Sequence, residues 1–164
     1  YTPPMQITNI TEVDFDAALA LNEASVPQVS SIDLEKIHRL SEQAFNFRTL
    51  RVDGHFAGFH IGLRPGIDYR SENYRWFCDN YRDFGYIDRV AIAPEARRLG
   101  IASALYDDFA SELKGEVRVM TCEVNIRPPN TTSMRFHERH GFIQVASQET
   151  ENGSKEVALM EKRL

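Results

Sequence analysis

The chain has 164 residues, 42% of them hydrophobic and 26% charged, which suits one soluble domain with a proper core. Its formal net charge of -5 argues against a nucleic-acid partner, which ordinarily meets a basic surface, and mildly favours a cationic substrate. No apolar run is long enough to span a membrane. Two cysteines, Cys78 and Cys122, are too few for a disulfide framework, so a reducing, cytoplasmic setting is expected. Tyr1-Thr2-Pro3-Pro4 lacks the basic and apolar pattern of a signal peptide. The five histidines, His38, His55, His60, His137 and His140, show no zinc-like spacing, and no metal is expected.

Gln6 to Thr11 reads as a first strand. Asp14 to Ser25 reads as a helix capped by Thr11 or Asp14 and ended before Pro27. Asp33 to Phe45 reads as a second helix, and the polar bend Asn22 to Gln28 separates the two. Phe47 to Val52 and His55 to Leu63 read as strands joined by Asp53-Gly54, a strong hairpin turn. The segment 65–85 mixes Tyr69, Tyr74, Trp76, Phe77, Tyr81 and Phe84 with charged residues. That richness in aromatics predicts order. The segment is either a lid over a substrate or a small local core or dimer contact.

Tyr86 to Ala93 is apolar and β-branched and reads as a buried strand stopped by Pro94. A short turn with Arg97, Arg98 and Gly100 follows. From Ile101 the apolar residues Ile101, Ala104, Leu105, Phe109 and Leu113 fall at helical spacing. The first N–H groups of a helix have no partner within it, and the dipole is positive there. A basic, glycine-containing turn at that end is therefore a site for a phosphate or pyrophosphate.

Gly115 ends this helix, and Val117 to Asn125 reads as a strand parallel to the previous one and buried on both faces. Glu123 shares a face with Val119, Thr121 and Asn125. A carboxylate there needs a partner, with an arginine the simplest, or a polar cleft. Asn130 to Phe142 reads as a helix capped by Asn130 or Thr131 and stopped by Gly141. Ile143 to Gln148 and Glu156 to Arg163 complete the chain as strands turning at Asn152-Gly153.

Two motifs carry a family resemblance. Arg97-Arg98-Leu99-Gly100-Ile101-Ala102, preceded by a strand ending in Pro94-Glu95, resembles the Arg/Gln-x-x-Gly-x-Gly/Ala signature of the GNAT superfamily of acyl-CoA-dependent N-acyltransferases. Asn130, Ser133, His137, Gly141 and Phe142 match the spacing of that family's Asn-x-x-Ala-x-x-x-Tyr-x-x-x-Gly-Phe pattern, with Ser for Ala and His for Tyr. Phe56-Ala57-Gly58-Phe59 is similar in a more general way. Asn22 to Pro27, Asn73 to Phe77 and Pro128-Pro129-Asn130 resemble a bacterial subgroup known as predicted acetyltransferases.

The resemblance implies one GNAT domain over 1–164, α/β (α+β), with an aromatic-rich insertion at about 65–85. Its centre would be a mixed, splayed sheet of about seven strands with helices on both faces. It implies acetyl-CoA as co-substrate, bound where two central strands part. Val90, Ala91 and Ile92 would bond the pantetheine. The amides from Arg97 through Arg98, Leu99, Gly100, Ile101 and Ala102 to Ser103 would hold the pyrophosphate. Asn130, Ser133 and Phe136 would touch the pantetheine arm. His137 would carry a proton as acid or base, or merely fill space. Asp88 and Glu123 are the candidates for the base, Asp88 having a salt bridge as its plainer role.

The acceptor candidates are Asn22, Glu23, Tyr74, Trp76 and Asn125, although Asn22 and Glu23 also fit a capped surface helix end. The acceptor itself would be a small-molecule or peptide amine attacking the thioester directly in a ternary complex. A homodimer is common in the superfamily. The competing expectation is a non-catalytic acyl-CoA sensor or interaction domain, since the usual tyrosine is missing.

Overall fold

The computed structural model describes residue 1 and residues 3–164. Five α-helices accompany an open, mixed, seven-stranded sheet. The strands are β1 (Met5–Asn9), β2 (Asn46–Val52), β3 (His55–Leu63), β4 (Gly85–Ile92), β5 (Val119–Arg127), β6 (Ile143–Thr150) and β7 (Lys155–Arg163). The helices are α1 (Phe15–Ala24), α2 (Leu34–Gln43), α3 (Glu72–Asn80), α4 (Ile101–Leu113) and α5 (Thr131–Arg139). The strand order is β1-β2-β3-β4-β5-β7-β6. Among the described residues no helix is long and apolar enough to cross a membrane. The chain divides into two compact units, Tyr1–Leu63 with Ile87–Glu112, and Arg64–Tyr86 with Leu113–Leu164.

In the first unit β1, β2 and β3 form an antiparallel meander. Its β2–β3 turn is made by Asp53 and Gly54 at φ 49° and 80°, the left-handed pair that a tight hairpin demands. Helix α4 lies against β3 so closely that a Cβ on Gly62 would meet the Phe109 ring at 2.5 Å. Ala18, Ile37, Leu40, Leu50, Ile61 and Leu105 are buried there. Asp33 caps α2 by accepting from the Lys36 N–H at 2.8 Å. Neither Thr11 nor Asp14 caps α1 through its side chain. Asp14 instead pairs with Arg51, because a buried carboxylate gains more from a cation than from an amide.

In the second unit β4 begins parallel to β5, with Gly85 opposite Met120 and Tyr86 opposite Thr121. β5, β7 and β6 follow as antiparallel neighbours. The first four residues of β5 are buried on both faces, as a parallel interior strand requires. β5 starts at Val119 rather than Val117, because the Val117 N–H still bonds back to Leu113 O in the exit turn of α4. The aromatic segment is a helix, α3, whose cap Ser71 accepts from the Tyr74 N–H at 3.2 Å. Its rings form a local cluster in which Tyr74, Phe77 and Phe84 are buried and Tyr74 and Phe77 pack on Tyr86.

Candidate functional site

In the first unit, Pro94–Ala96 makes one tight turn after β4, and residues 97–100 then run exposed into α4. Arg98 and Gly100 both take left-handed conformations, at φ 71° and 77°. Left-handed residues near right-handed ones bend successive N–H groups towards one concave side, a shape that cradles anions. A Cβ on Gly100 would meet nothing within 4 Å, so glycine is there for its conformation and the space beside it is open. The Ala104 N–H bonds Gly100 O at 3.0 Å, which starts the α4 ladder and leaves the amides of Ile101, Ala102 and Ser103 as first-turn donors. Gly58 has the opposite task. A Cβ there would strike Ala91 O at 2.9 Å and Ile92 Cδ1 at 3.0 Å, so it lets β3 approach β4. Along β4, Ile87, Arg89 and Ala91 are buried, while Asp88, Val90 and Ile92 are half-buried.

Asp88 and Arg89 form an ion pair, Nε to Oδ2 at 2.7 Å, with side chains only 4% and 3% exposed. The plainer of the two roles expected for Asp88 is thus the one its geometry serves. Arg89 also donates to Asn22 Oδ1 at 2.9 Å. Asn22 Nδ2 donates to Glu23 at 2.8 Å and to Ser30 O at 3.0 Å. Glu23 accepts from the Ser31 hydroxyl and, at 3.2 Å, from the Ile32 N–H. The Ser31 and Asn22 donors lead in holding its carboxyl below the usual carboxylate range. Asn22 and Glu23 therefore fasten the segment that follows α1.

In the second unit the Tyr86 hydroxyl donates to Glu123 Oε2 at 2.6 Å. That bond gives the carboxylate a neutral donor from the adjoining strand. Tyr86 is fully buried and Glu123 is half-buried. Sequence reasoning treated Tyr86 only as a strand residue. Its signal was parity, since a parallel register that sets Tyr86 beside Thr121 brings Glu123 next on that face. Asn125 is half-buried further along β5, and its carbonyl accepts from the Asn130 N–H at 3.1 Å.

Asn130 caps α5, its Oδ1 accepting from the Ser133 N–H at 3.1 Å. Gly141 ends that helix at φ 101°. His137 is buried, with Nδ1 2.7 Å from Ser133 O and 3.3 Å from Ser133 Oγ. A carbonyl oxygen only accepts, so Nδ1 carries the hydrogen and the neutral ring keeps its lone pair on Nε2. Burial, the largest influence, lowers the His137 pKa, and His140 adds to it against the Ser133 bond. Burial thus favours the neutral form of the ring. Phe136 meets it edge-on at 5.2 Å. Tyr74 is a core residue whose hydroxyl donates to Arg64 O at 2.7 Å, while Trp76 is half-buried on α3. Among the described residues no group of three or more His, Cys, Asp or Glu could hold a metal.

Residues 12–142 match the model of the acetyltransferase (GNAT) family. The chain is 23% identical over 140 residues to an N-alpha-acetyltransferase of Sulfurisphaera tokodaii, covering 85% of this chain and 81% of that protein. Its fold resembles Ard1 from Thermoplasma volcanium, with a TM-score of 0.77, 20% identity and coverage of 98% and 97% of the two chains. It also resembles Arabidopsis thaliana NAA60 in complex with acetyl-CoA, with a TM-score of 0.78, 16% identity and coverage of 98% and 100%.

Proposed function

This chain belongs to the acetyltransferase (GNAT) family, and on that premise we propose that it moves an acetyl group from acetyl-CoA to a primary amine, the free N-terminal amine of a peptide. The observation that carries the donor half is the exposed turn 97–100, with Arg98 and Gly100 left-handed ahead of the α4 amides. Such a turn offers positive charge and convergent N–H donors to a pyrophosphate. The likeness to the N-alpha-acetyltransferase relative supports the acceptor class, and the likeness to NAA60 in complex with acetyl-CoA supports acetyl-CoA as the donor.

Amide formation requires a neutral amine nitrogen to attack the thioester carbonyl. The C–N bond forms, the C–S bond breaks, and CoA leaves as a thiolate that gains a proton. Glu123 receives the amine proton, directly or through water, with the Tyr86 hydroxyl fixing its orientation. His137, buried and held by Ser133, is the second group to move a proton in that path, as acid or base. Backbone donors near Val90, Ala91 and Ile92 bond the pantetheine and stabilise the oxyanion. Asn130, Ser133 and Phe136 line the pantetheine arm.

The test is CoA release from acetyl-CoA with short free-amine peptides, free amino acids and small amines, with mass spectrometry of the products. Acetylated peptides support the reading. Release with small amines alone overturns the peptide acceptor. Tight acetyl-CoA binding without release anywhere overturns catalysis.

A further inference from the structure

The segment 25–32, between α1 and α2, contains no charged side chain and carries no regular secondary structure beyond turns. Its outer side is exposed, with Val26 at 41%, and Pro27 and Gln28 beside it. Segments of this kind ordinarily wander, since ordering backbone costs conformational entropy. This one is tied from beneath by a single buried cation.

The Arg89 guanidinium uses four acceptors. It donates to Asp88 Oδ2 at 2.7 Å and to Asn22 Oδ1 at 2.9 Å. It also reaches Ser30 O at 2.9 Å and Ser30 Oγ at 3.0 Å. Asn22 closes the ring by donating to the same Ser30 carbonyl at 3.0 Å. Glu23 then pins the Ile32 N–H at 3.2 Å. One planar fork on β4 thereby fixes the far end of the segment, and the last turn of α1 fixes its near end. A lysine has one donor point and cannot reproduce that fork.

We propose that Arg89 is a positioning residue that sets the conformation of segment 25–32 and, through it, the affinity for the amine acceptor. This rests on the proposed transferase reading, in which Asn22 and Glu23, where that segment leaves α1, are acceptor candidates. Glu23 is occupied by its own donors, so the segment would act on the acceptor by shape and by apolar contact at the exposed Val26 and Pro27. Arg89 itself stays buried and touches no reacting atom.

The test compares Arg89→Lys, Asn22→Ala and Ser30→Ala with the parent chain, using short free-amine peptides and acetyl-CoA. The Arg89→Lys variant should raise the peptide KM about tenfold or more. Its kcat should stay within about threefold, and acetyl-CoA affinity within about twofold. Ser30→Ala, an exposed change that removes one of the four bonds, should raise the peptide KM about two- to threefold. Amide hydrogen exchange across 25–32 should speed up in all three variants while exchange in β5 and β7 is unchanged. That readout needs no activity, so it judges the positioning claim even where no peptide is acetylated, an outcome that would overturn the transferase reading instead. Should Arg89→Lys fail to fold, Ser30→Ala and Asn22→Ala decide. Unchanged exchange across 25–32, or faster exchange with an unchanged peptide KM, overturns the proposal.

Discussion

Asp88 on β4 and Glu123 on β5 are the same kind of group put to opposite uses in the two units. Asp88 is closed in, its side chain 4% exposed and its charge spent on Arg89. Glu123 is half-buried and held by a neutral hydroxyl. A cation beside a carboxylate occupies it in a charge-assisted hydrogen bond. A phenol fixes the direction of the carboxylate it bonds. The histidines differ in the same way. His60 is sealed in the first unit against Tyr106 and Phe109. His137, in the second, is held through Nδ1 by the Ser133 carbonyl at 2.7 Å. In the first unit these polar groups fasten backbone or fill core, and the second unit holds the two groups to which the proposed reaction gives a proton.

Removing Asp88 breaks this contrast most severely. Asp88→Ala leaves the Arg89 guanidinium buried without its counter-charge, and loss of one partner of a buried pair costs about 3–5 kcal/mol. The expected result is a large drop in melting temperature, read by calorimetry. Glu123→Gln should behave in the opposite manner. The amide carbonyl can still accept from Tyr86, so the melting temperature should hold. Turnover of the amine should fall about 100-fold, the lower range for loss of a general base, with acetyl-CoA binding retained. If Asp88→Asn, which keeps an acceptor for Arg89, loses activity while staying folded, the two carboxylates have been assigned the wrong way round.

The buried histidine gives a pH signature to the first unit. His60 Nδ1 bonds Asn46 Oδ1 at 3.0 Å, and among the described residues Nε2 has no hydrogen-bond partner. Burial, aided by the Arg48 charge, lowers its pKa to about 3. The unfolded chain takes up a proton near pH 6.5, which the folded chain refuses until about pH 3. Stability is therefore full above pH 6.5 and falls as pH drops through that window, by about 1.4 kcal/mol per unit. Denaturant midpoints should show a loss of about 2 kcal/mol from pH 7 to pH 5 from this group. His60→Gln, which can still donate to Asn46, should flatten that slope.

How far the chain could be read without its structure depended on whether a residue's requirement was local. Gly100, Gly141 and the Asp53-Gly54 pair sit where the backbone turns left-handed, and the Asn130 cap serves an amide three residues on. Such demands are written in adjacent letters, so both motifs and most strands were legible. Arg89 was not, because its partners Asn22 and Ser30 lie 67 and 59 residues away. Asp14 looked like a cap for the same reason, since Arg51, its true partner, is remote. Glu23 and Asn22 looked free to meet a substrate, because nothing near them in sequence marks them as occupied. Helix α3 did have a local signal. Ser71 stands three residues before Tyr74, and Tyr74 and Phe77 share a face, yet the density of aromatics drew attention to a lid.

The smallest expected effect sharpens the comparison most, because it separates holding a carboxylate from being one. Tyr86→Phe deletes only the hydroxyl. The ring stays packed against Tyr74 and Phe77, with centroids at 5.5 Å and 5.8 Å, and half-buried Glu123 can take a water in exchange. Stability should therefore change by about 1 kcal/mol. Turnover should fall about tenfold, a similar free energy, if the hydroxyl serves to aim Glu123. The double variant Tyr86→Phe with Glu123→Gln then settles whether the two act as a unit. A group that works only by orienting another has nothing left to orient once that other is disabled. The double variant should accordingly be no slower than Glu123→Gln alone. A further tenfold loss in the double variant would mean that Tyr86 reaches the reacting atoms itself.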